Sequence, residues 1–167
     1  MESIVNFFVD SFGTNVGGYS REILVFFISC MPILELRGGL LAASLLDLSP
    51  IVSYIICIIG NILPVPFILW FIEFIFKKLK NTPLRKIVLF LEKKANAKKD
   101  KIEKFGYIGL ILFVGIPLPG TGAWTGCLIA VLLGMDKKKS FIATLLGIFI
   151  ASIIMMLISF GFLKFFI

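Results

Sequence analysis

The chain of 167 residues contains no histidine at all. Histidine is the commonest metal ligand and the commonest general base, so its absence removes the usual basis of metal-dependent or triad catalysis. The sequence also lacks a Walker loop, a nucleophile elbow and a dinucleotide-binding fingerprint. We therefore expect a protein that is not an enzyme and that needs no metal or cofactor.

Cysteine is scarce, with three residues, Cys30, Cys57 and Cys127, that all lie in apolar stretches. An odd, scattered set fits neither a disulfide framework nor a metal site. We expect all three to be small buried hydrophobic residues.

Charge is scarce as well: 16% of the residues are charged, 59% are hydrophobic, and the mean hydropathy is +1.03. A soluble domain of this length has too little core to bury so much apolar side chain. The apolar residues form four blocks, each long enough to meet the requirement of about 20 apolar residues for crossing a bilayer. The sequence predicts an all-α integral membrane protein with one membrane domain over residues 1–167.

The basic residues are unevenly placed along the chain. Fourteen of the 17 lysines and arginines fall between Lys77 and Lys139, and only Arg21, Arg37 and Lys164 lie outside that stretch. Short basic loops stay on the cytoplasmic side of a membrane, which predicts cytoplasmic positions for residues 77–105 and 136–139. Because the basic run lies between membrane segments, we expect no nucleic-acid partner.

Two segments of the chain, 22–48 and 106–135, share one pattern. Each runs from an apolar stretch through a proline to a polar centre with glycines, and then into small residues. Pro32 corresponds to Pro117, 85 positions later, and a long apolar helix follows each segment, at 50–76 and at 140–166. Paired segments interrupted by glycine and proline indicate the binding site of a transporter with an inverted repeat.

The charge distribution decides between two topologies for these segments. If both spanned the membrane, the basic clusters at 77–104 and 137–139 would lie on opposite sides; if both are re-entrant hairpins, all lie on one side. We therefore predict an inverted repeat of two re-entrant hairpins and two long transmembrane helices, with both termini outside. A basic amphipathic helix at 82–105 and an interfacial helix at 1–20 complete the prediction. We expect the hairpin tips to meet near the midplane, and a homodimer.

The first tip, "PILELRGG", carries charge at membrane depth. An isolated Glu or Arg there costs about 2.5–3.5 kcal/mol, so Glu35 and Arg37 must pair or meet water. They either hold the loop by pairing or take part in transport, and transport is the interpretation we favour for intramembrane ionisable residues. Pro32 and Gly38 end and reverse the backbone at this tip.

The second tip, "GIPLPGTGAWTG", has no formal charge. Its prolines block a helix, its glycines free the backbone, and its threonines supply hydroxyls, so it suits an anion. Its tryptophan either lines the cavity or packs. In the first long helix, Asn61 precedes two prolines that kink it. The candidate residues of the second tip are Pro117, Pro119, Gly120, Thr121, Gly122, Trp124, Thr125 and Gly126.

Together the tips offer one guanidinium, backbone amides, hydroxyls and one titratable carboxylate. That set suits a phosphate or carboxylate headgroup on Arg37, with Glu35 as the site of proton or cation coupling.

The motifs "PILELRG" and "PLPGTGAWTG" resemble the paired signatures of the small multidrug export protein family, which is related to the DedA, or VTT, superfamily. The resemblance covers about residues 20–165, and the chain departs from the usual first motif at Leu41, where the family has proline. It implies two re-entrant loops in inverted repeat and a transporter of the plasma membrane. It also implies proton-motive-force-dependent movement of lipid carriers such as undecaprenyl phosphate, with essential acidic and arginine roles falling on Glu35 and Arg37.

Three functions remain open from the sequence. The first is a secondary transporter or flippase for an anionic lipid or polyprenyl phosphate, with the bilayer and that lipid as partners. The second is a small exporter of cationic drugs, in which Glu35 binds the cation and Arg37 opposes it. The third is a membrane scaffold without transport activity.

Overall fold

A computed structural model of the chain describes residues 19–79, 105–118 and 120–162, together with the single positions 89 and 93. Within these ranges every regular element is helical, which confirms the predicted all-α class. The predicted interfacial helix at 1–20 and the basic helix at 82–105 lie almost wholly outside the described residues.

Within each described range the helices follow one another with short connections. Apolar stretches end at glycine, proline or polar turns, and these residues terminate the helices. The helices are α1 (Tyr19–Cys30), α2 (Glu35–Leu45), α3 (Pro50–Ile62), α4 (Pro64–Leu79), α5 (Gly106–Gly115), α6 (Ala123–Leu132) and α7 (Lys137–Met156), and α7 continues as a π-helix, Leu157–Phe162.

Two helical stretches, Pro50–Ile72 and Lys137–Gly161, are long and apolar enough to cross a membrane. The prediction of two long apolar helices is therefore confirmed. The first stretch is interrupted at Leu63, between α3 and α4, because the Pro64 ring lacks the amide that would continue the hydrogen-bond ladder.

The chain divides into two compact units, and the first contains the described residues 19–63 and 148–162. In it α1, α2 and α3 pack against one another at small residues. A Cβ built on Gly39 would collide with the Ser29 hydroxyl and lie 2.9 Å from the Cys57 sulfur. A Cβ on Gly60 would lie 2.9 Å from the Phe26 carbonyl oxygen. The helix backbones therefore approach as closely as glycine allows.

The second unit contains the described residues of Pro64–Gly147. Its close approaches are again at glycines: a Cβ on Gly126 would lie 2.7 Å from Val114 Cγ2, and one on Gly147 would lie 2.9 Å from the Ile111 carbonyl oxygen. The Cys127 sulfur lies 3.5 Å from the Thr144 hydroxyl. None of the three cysteines forms a disulfide with another described residue; Cys57 and Cys127 are buried as expected, whereas Cys30 is only half-buried.

The turns after α2 and α6 have the same construction. Each contains one residue with positive φ, Asp47 at 52° and Gly134 at 64°. In each turn the next amide donates to a carbonyl five residues back, from Leu48 to Ala43 and from Met135 to Ala130, both at 3.0 Å. This is the Schellman arrangement that ends a helix.

We expect Gly60→Ala to destabilise the protein although alanine favours a helix. Overpacking against the Phe26 carbonyl costs about 1–3 kcal/mol, which exceeds the roughly 1 kcal/mol gained in helix propensity. The matched control is Gly161→Ala, because a Cβ there meets nothing within 4 Å. Thermal unfolding in detergent should show a lower Tm for Gly60→Ala alone; equal Tm values for both variants would contradict the close packing.

Candidate functional site

The first hairpin joins α1 to α2 through a turn at residues 31–34, and both charged candidates lie just after it. Glu35 is 5% exposed and Arg37 is 6% exposed. The two side chains interact electrostatically. The sequence-predicted charges are thus buried at the start of α2.

The backbone at Glu35 has an unusual conformation. Its φ is 51°, a left-handed value that costs an ordinary side chain about 1–2 kcal/mol. The Glu35 amide donates to the Met31 carbonyl at 2.9 Å, and the Gly38 amide donates to the Leu34 carbonyl at 2.8 Å, which fixes the turn. Pro32 is exposed at its outer edge. The left-handed backbone and the buried carboxylate together make Glu35 a candidate functional position.

The second tip, in the second unit, is held together by Thr121. Its hydroxyl lies 2.8 Å from the Leu118 carbonyl and 2.9 Å from the Ile116 carbonyl, and it accepts from the Leu118 amide at 3.3 Å. Gly120 and Gly122 have positive φ values of 74° and 132°. The Thr121 hydroxyl therefore orders the loop.

The other predicted residues of this tip surround the start of α6. Gly122 and Gly126 are buried, and the Gly126 amide donates to the Gly122 carbonyl at 2.8 Å. The N-terminal end of α6 begins at Ala123, and its dipole favours negative charge. Pro117, Trp124 and Thr125 are half-buried, and Pro119 lies outside the described residues.

Asn61 belongs to the first unit, in the last turn of α3. It is 3% exposed, and within the described residues its Oδ1 has no hydrogen-bond partner. The first unit therefore holds three buried polar candidates, Glu35, Arg37 and Asn61. The residues of the second tip form a separate group in the second unit.

Sequence reasoning missed two polar features of the first unit. Cys57 forms a side-chain hydrogen bond with Ser29, whose own hydroxyl donates to the Val25 carbonyl at 2.9 Å. The Ser44 hydroxyl donates to the carbonyl of Ser159 in the π-helix at 2.7 Å. The small residues at positions 29, 39, 57 and 60 indicated that these helices pack closely where Cys57 meets Ser29. No local pattern indicated the second feature, since it joins residues 115 positions apart.

The described residues are helical, include two apolar helices of spanning length, and bury charges beside a proline-glycine turn, which are features of a membrane protein. Residues 35–154 match the model of the family described as "Putative small multi-drug export protein". The match covers most of the chain, from the first tip to beyond the middle of α7, so the chain belongs to this family. Its helices and its family together indicate a membrane location.

No curated protein and no solved structure matches this chain. The family assignment therefore depends on the match over 35–154, and the chemistry of the site has to be argued from this chain's own residues.

Proposed function

We propose that this chain is a secondary transporter or flippase for an anionic lipid phosphate, of the polyprenyl phosphate kind, in the plasma membrane. The observation that carries the proposal is the burial of Glu35 and Arg37 together at the first hairpin turn. A guanidinium binds phosphate through two parallel hydrogen bonds, and a buried carboxylate beside it titrates or binds a cation. In this proposal Arg37 binds the phosphate, and Glu35 couples transport to a proton or cation.

The proposed architecture is a pair of re-entrant hairpins. The arms α1, α2, α5 and α6 contain 12, 11, 10 and 10 residues. Helices of that length extend about 15–18 Å, roughly half of the ~30 Å hydrocarbon thickness. An arm that enters and a second arm that returns therefore fit the bilayer better than two spanning helices do.

Equivalent contacts within the two units support an internal repeat. The close-packed glycines Gly39 and Gly126 are 87 positions apart, and so are Gly60 and Gly147. The turn residues with positive φ, Asp47 and Gly134, have the same separation. A repeated unit explains why one packing pattern and one turn occur twice at a constant spacing, and charge supports the inverted orientation.

The topology proposal places both termini outside and the lysines of the first α7 turn in the cytoplasm. Asp136 caps this helix by accepting from the Lys139 amide at 2.9 Å, and its own amide donates to the Tyr107 hydroxyl at 3.2 Å. A cysteine introduced at exposed Lys138 should react with a membrane-impermeant reagent only after the cells are permeabilised. Labelling in intact cells would contradict the proposed topology.

Two alternatives make different predictions. An exporter of cationic drugs gains from removal of Arg37, because that guanidinium repels its substrate from Glu35. A scaffold tolerates Glu35→Gln and Arg37→Lys as long as the protein inserts. We propose no catalytic activity and no cofactor. We also propose a homodimer, because two hairpins and two helices provide few helices to enclose a transport site within one chain.

The cellular test measures undecaprenyl phosphate exposed on the outer surface of a strain that lacks this protein. Wild-type protein should restore the normal level, and Arg37→Ala should not. Arg21→Ala is the matched control, since Arg21 lies in the same unit and donates to the Leu46 carbonyl at 3.4 Å, away from the turn. Equal restoration by wild type and Arg37→Ala refutes the proposal.

A further inference from the structure

The end of α3 contains a buried acceptor that the chain does not satisfy within its described residues. Asn61 is 3% exposed, and its Oδ1 has no hydrogen-bond partner there. A buried acceptor without a partner costs about 1–3 kcal/mol of stability. A residue retained at that cost is explained when a ligand supplies the missing interaction.

The helix register places Asn61 at the level of the first turn. Helices α2 and α3 are joined by the short turn 46–49, so they run antiparallel. Gly39 on α2 faces Cys57 on α3, where a Cβ would lie 2.9 Å from the sulfur. One helical turn further along α3 is Asn61, and one turn back along α2 is Glu35. The amide oxygen and the carboxylate therefore belong to the same layer of the unit.

Backbone oxygens flank Asn61 on both sides. The amide of residue i+4 normally satisfies a helical carbonyl, but Pro64 and Pro66 have no amide hydrogen to give to Gly60 and Ile62. Interrupted helices in transporters use such carbonyls to coordinate Na⁺. The layer thus offers carbonyl oxygens, an amide oxygen and one carboxylate.

We propose that this layer binds Na⁺, through Asn61 Oδ1 and the Glu35 carboxylate, and that Na⁺ is the coupling ion of the transporter. The proposal deepens the function proposed above and rests on it. Oxygen ligands suit a hard cation. The described residues contain no cluster of three His, Cys, Asp or Glu that would hold a transition metal. A single carboxylate favours a monovalent ion.

Charge balance gives the site a coupling mechanism. Glu35 and Arg37 neutralise each other when neither has a ligand. Na⁺ on Glu35 weakens that pair and leaves Arg37 to bind a phosphate, so cation and lipid phosphate increase each other's affinity. Such coupling is reciprocal and typically amounts to about 5–150-fold.

The first test uses Na⁺ alone, with the full-length protein in nanodiscs. Thermal unfolding is compared in sodium chloride and in choline chloride at equal ionic strength. We expect Na⁺ to raise the Tm of the wild type and of Ser53→Ala, a control at another buried polar position of α3 whose hydroxyl donates to the Ser49 carbonyl. Asn61→Leu should lose the shift. Asn61→Asp should reach the same shift at a lower Na⁺ concentration, which keeps the test decisive if the leucine variant fails to fold.

The second test measures binding of farnesyl phosphate, a short isoprenyl phosphate, in the two salts. We expect at least about a fivefold higher affinity in Na⁺. If neither Asn61 variant changes the Na⁺ response, the sodium site is refuted; if farnesyl phosphate binds equally in both salts, Na⁺ is not the coupling ion. Neither result refutes the transport proposal. If Na⁺ shifts the Tm through Asn61 but farnesyl phosphate does not bind, the cation site stands and the lipid-phosphate function is refuted.

Discussion

We expect Arg37→Lys to weaken the binding of an isoprenyl phosphate by about 10- to 150-fold, although the charge is unchanged. Lysine is a point charge and cannot make the paired hydrogen bonds of a guanidinium. Loss of one charged hydrogen bond, worth about 1.5–3 kcal/mol, gives that range. Equilibrium binding to the protein in nanodiscs measures the change directly.

Arg21→Lys is the control for this prediction, because it makes the same chemical change in the same unit. It should leave the affinity within experimental error of the wild type. A cation exporter predicts instead that Arg37→Ala increases the binding of a cationic dye, since that change removes the positive charge beside Glu35. Equal phosphate affinity for wild type and Arg37→Lys contradicts the assignment of Arg37 as the phosphate-binding residue.

We expect Glu35→Gly and Glu35→Gln both to lose transport but to differ in stability. Each removes the carboxylate, and only glycine also relieves the left-handed backbone, where φ is 51°. The glycine variant should therefore be more stable than the glutamine variant by about 1–2 kcal/mol. Chemical denaturation in detergent gives the two unfolding free energies.

Asp47 provides the matched comparison for strain without function. Its φ is 52°, it is exposed, and it lies in the turn after α2. Asp47→Gly should be more stable than Asp47→Gln and should keep full transport. If Glu35→Gly still transports at the wild-type rate, the carboxylate is not the coupling group; if it is no more stable than Glu35→Gln, the backbone at this position is not strained.

The helical class was predictable because apolar runs of spanning length bounded by glycine and proline leave few other structures. The buried charges were predictable for a related reason: Glu35 and Arg37 stand alone in an apolar segment, so they had to be paired or ligated. Asn61 was suggested by the prolines that follow it. The left-handed conformation of Glu35 was not predictable, since glutamate carries no preference for it.

Aligning the two halves on proline alone misses a difference in length between the two tips. Matching Pro32 with Pro117 gives an offset of 85, which also relates Ser29 to Val114, the side chains beneath the close-packed glycines. Beyond the tips, the equivalent glycines are 87 positions apart. The second tip contains two more residues than the first, and Thr121 orders that longer loop. The sequence pattern located both tips, but their difference in length became clear only from the close-packed glycines of the structure.

We propose that this chain moves a lipid phosphate across a bilayer by means of Glu35 and Arg37. The most direct test of this proposal is reconstitution in proteoliposomes, with a fluorescent polyprenyl phosphate followed by a quencher that reaches only the outer leaflet. Wild-type protein should equilibrate the lipid between leaflets much faster than empty liposomes, and Glu35→Gln and Arg37→Lys should slow it toward the empty rate. Movement no faster than in empty liposomes, or equally fast in all three proteins, would contradict the claim.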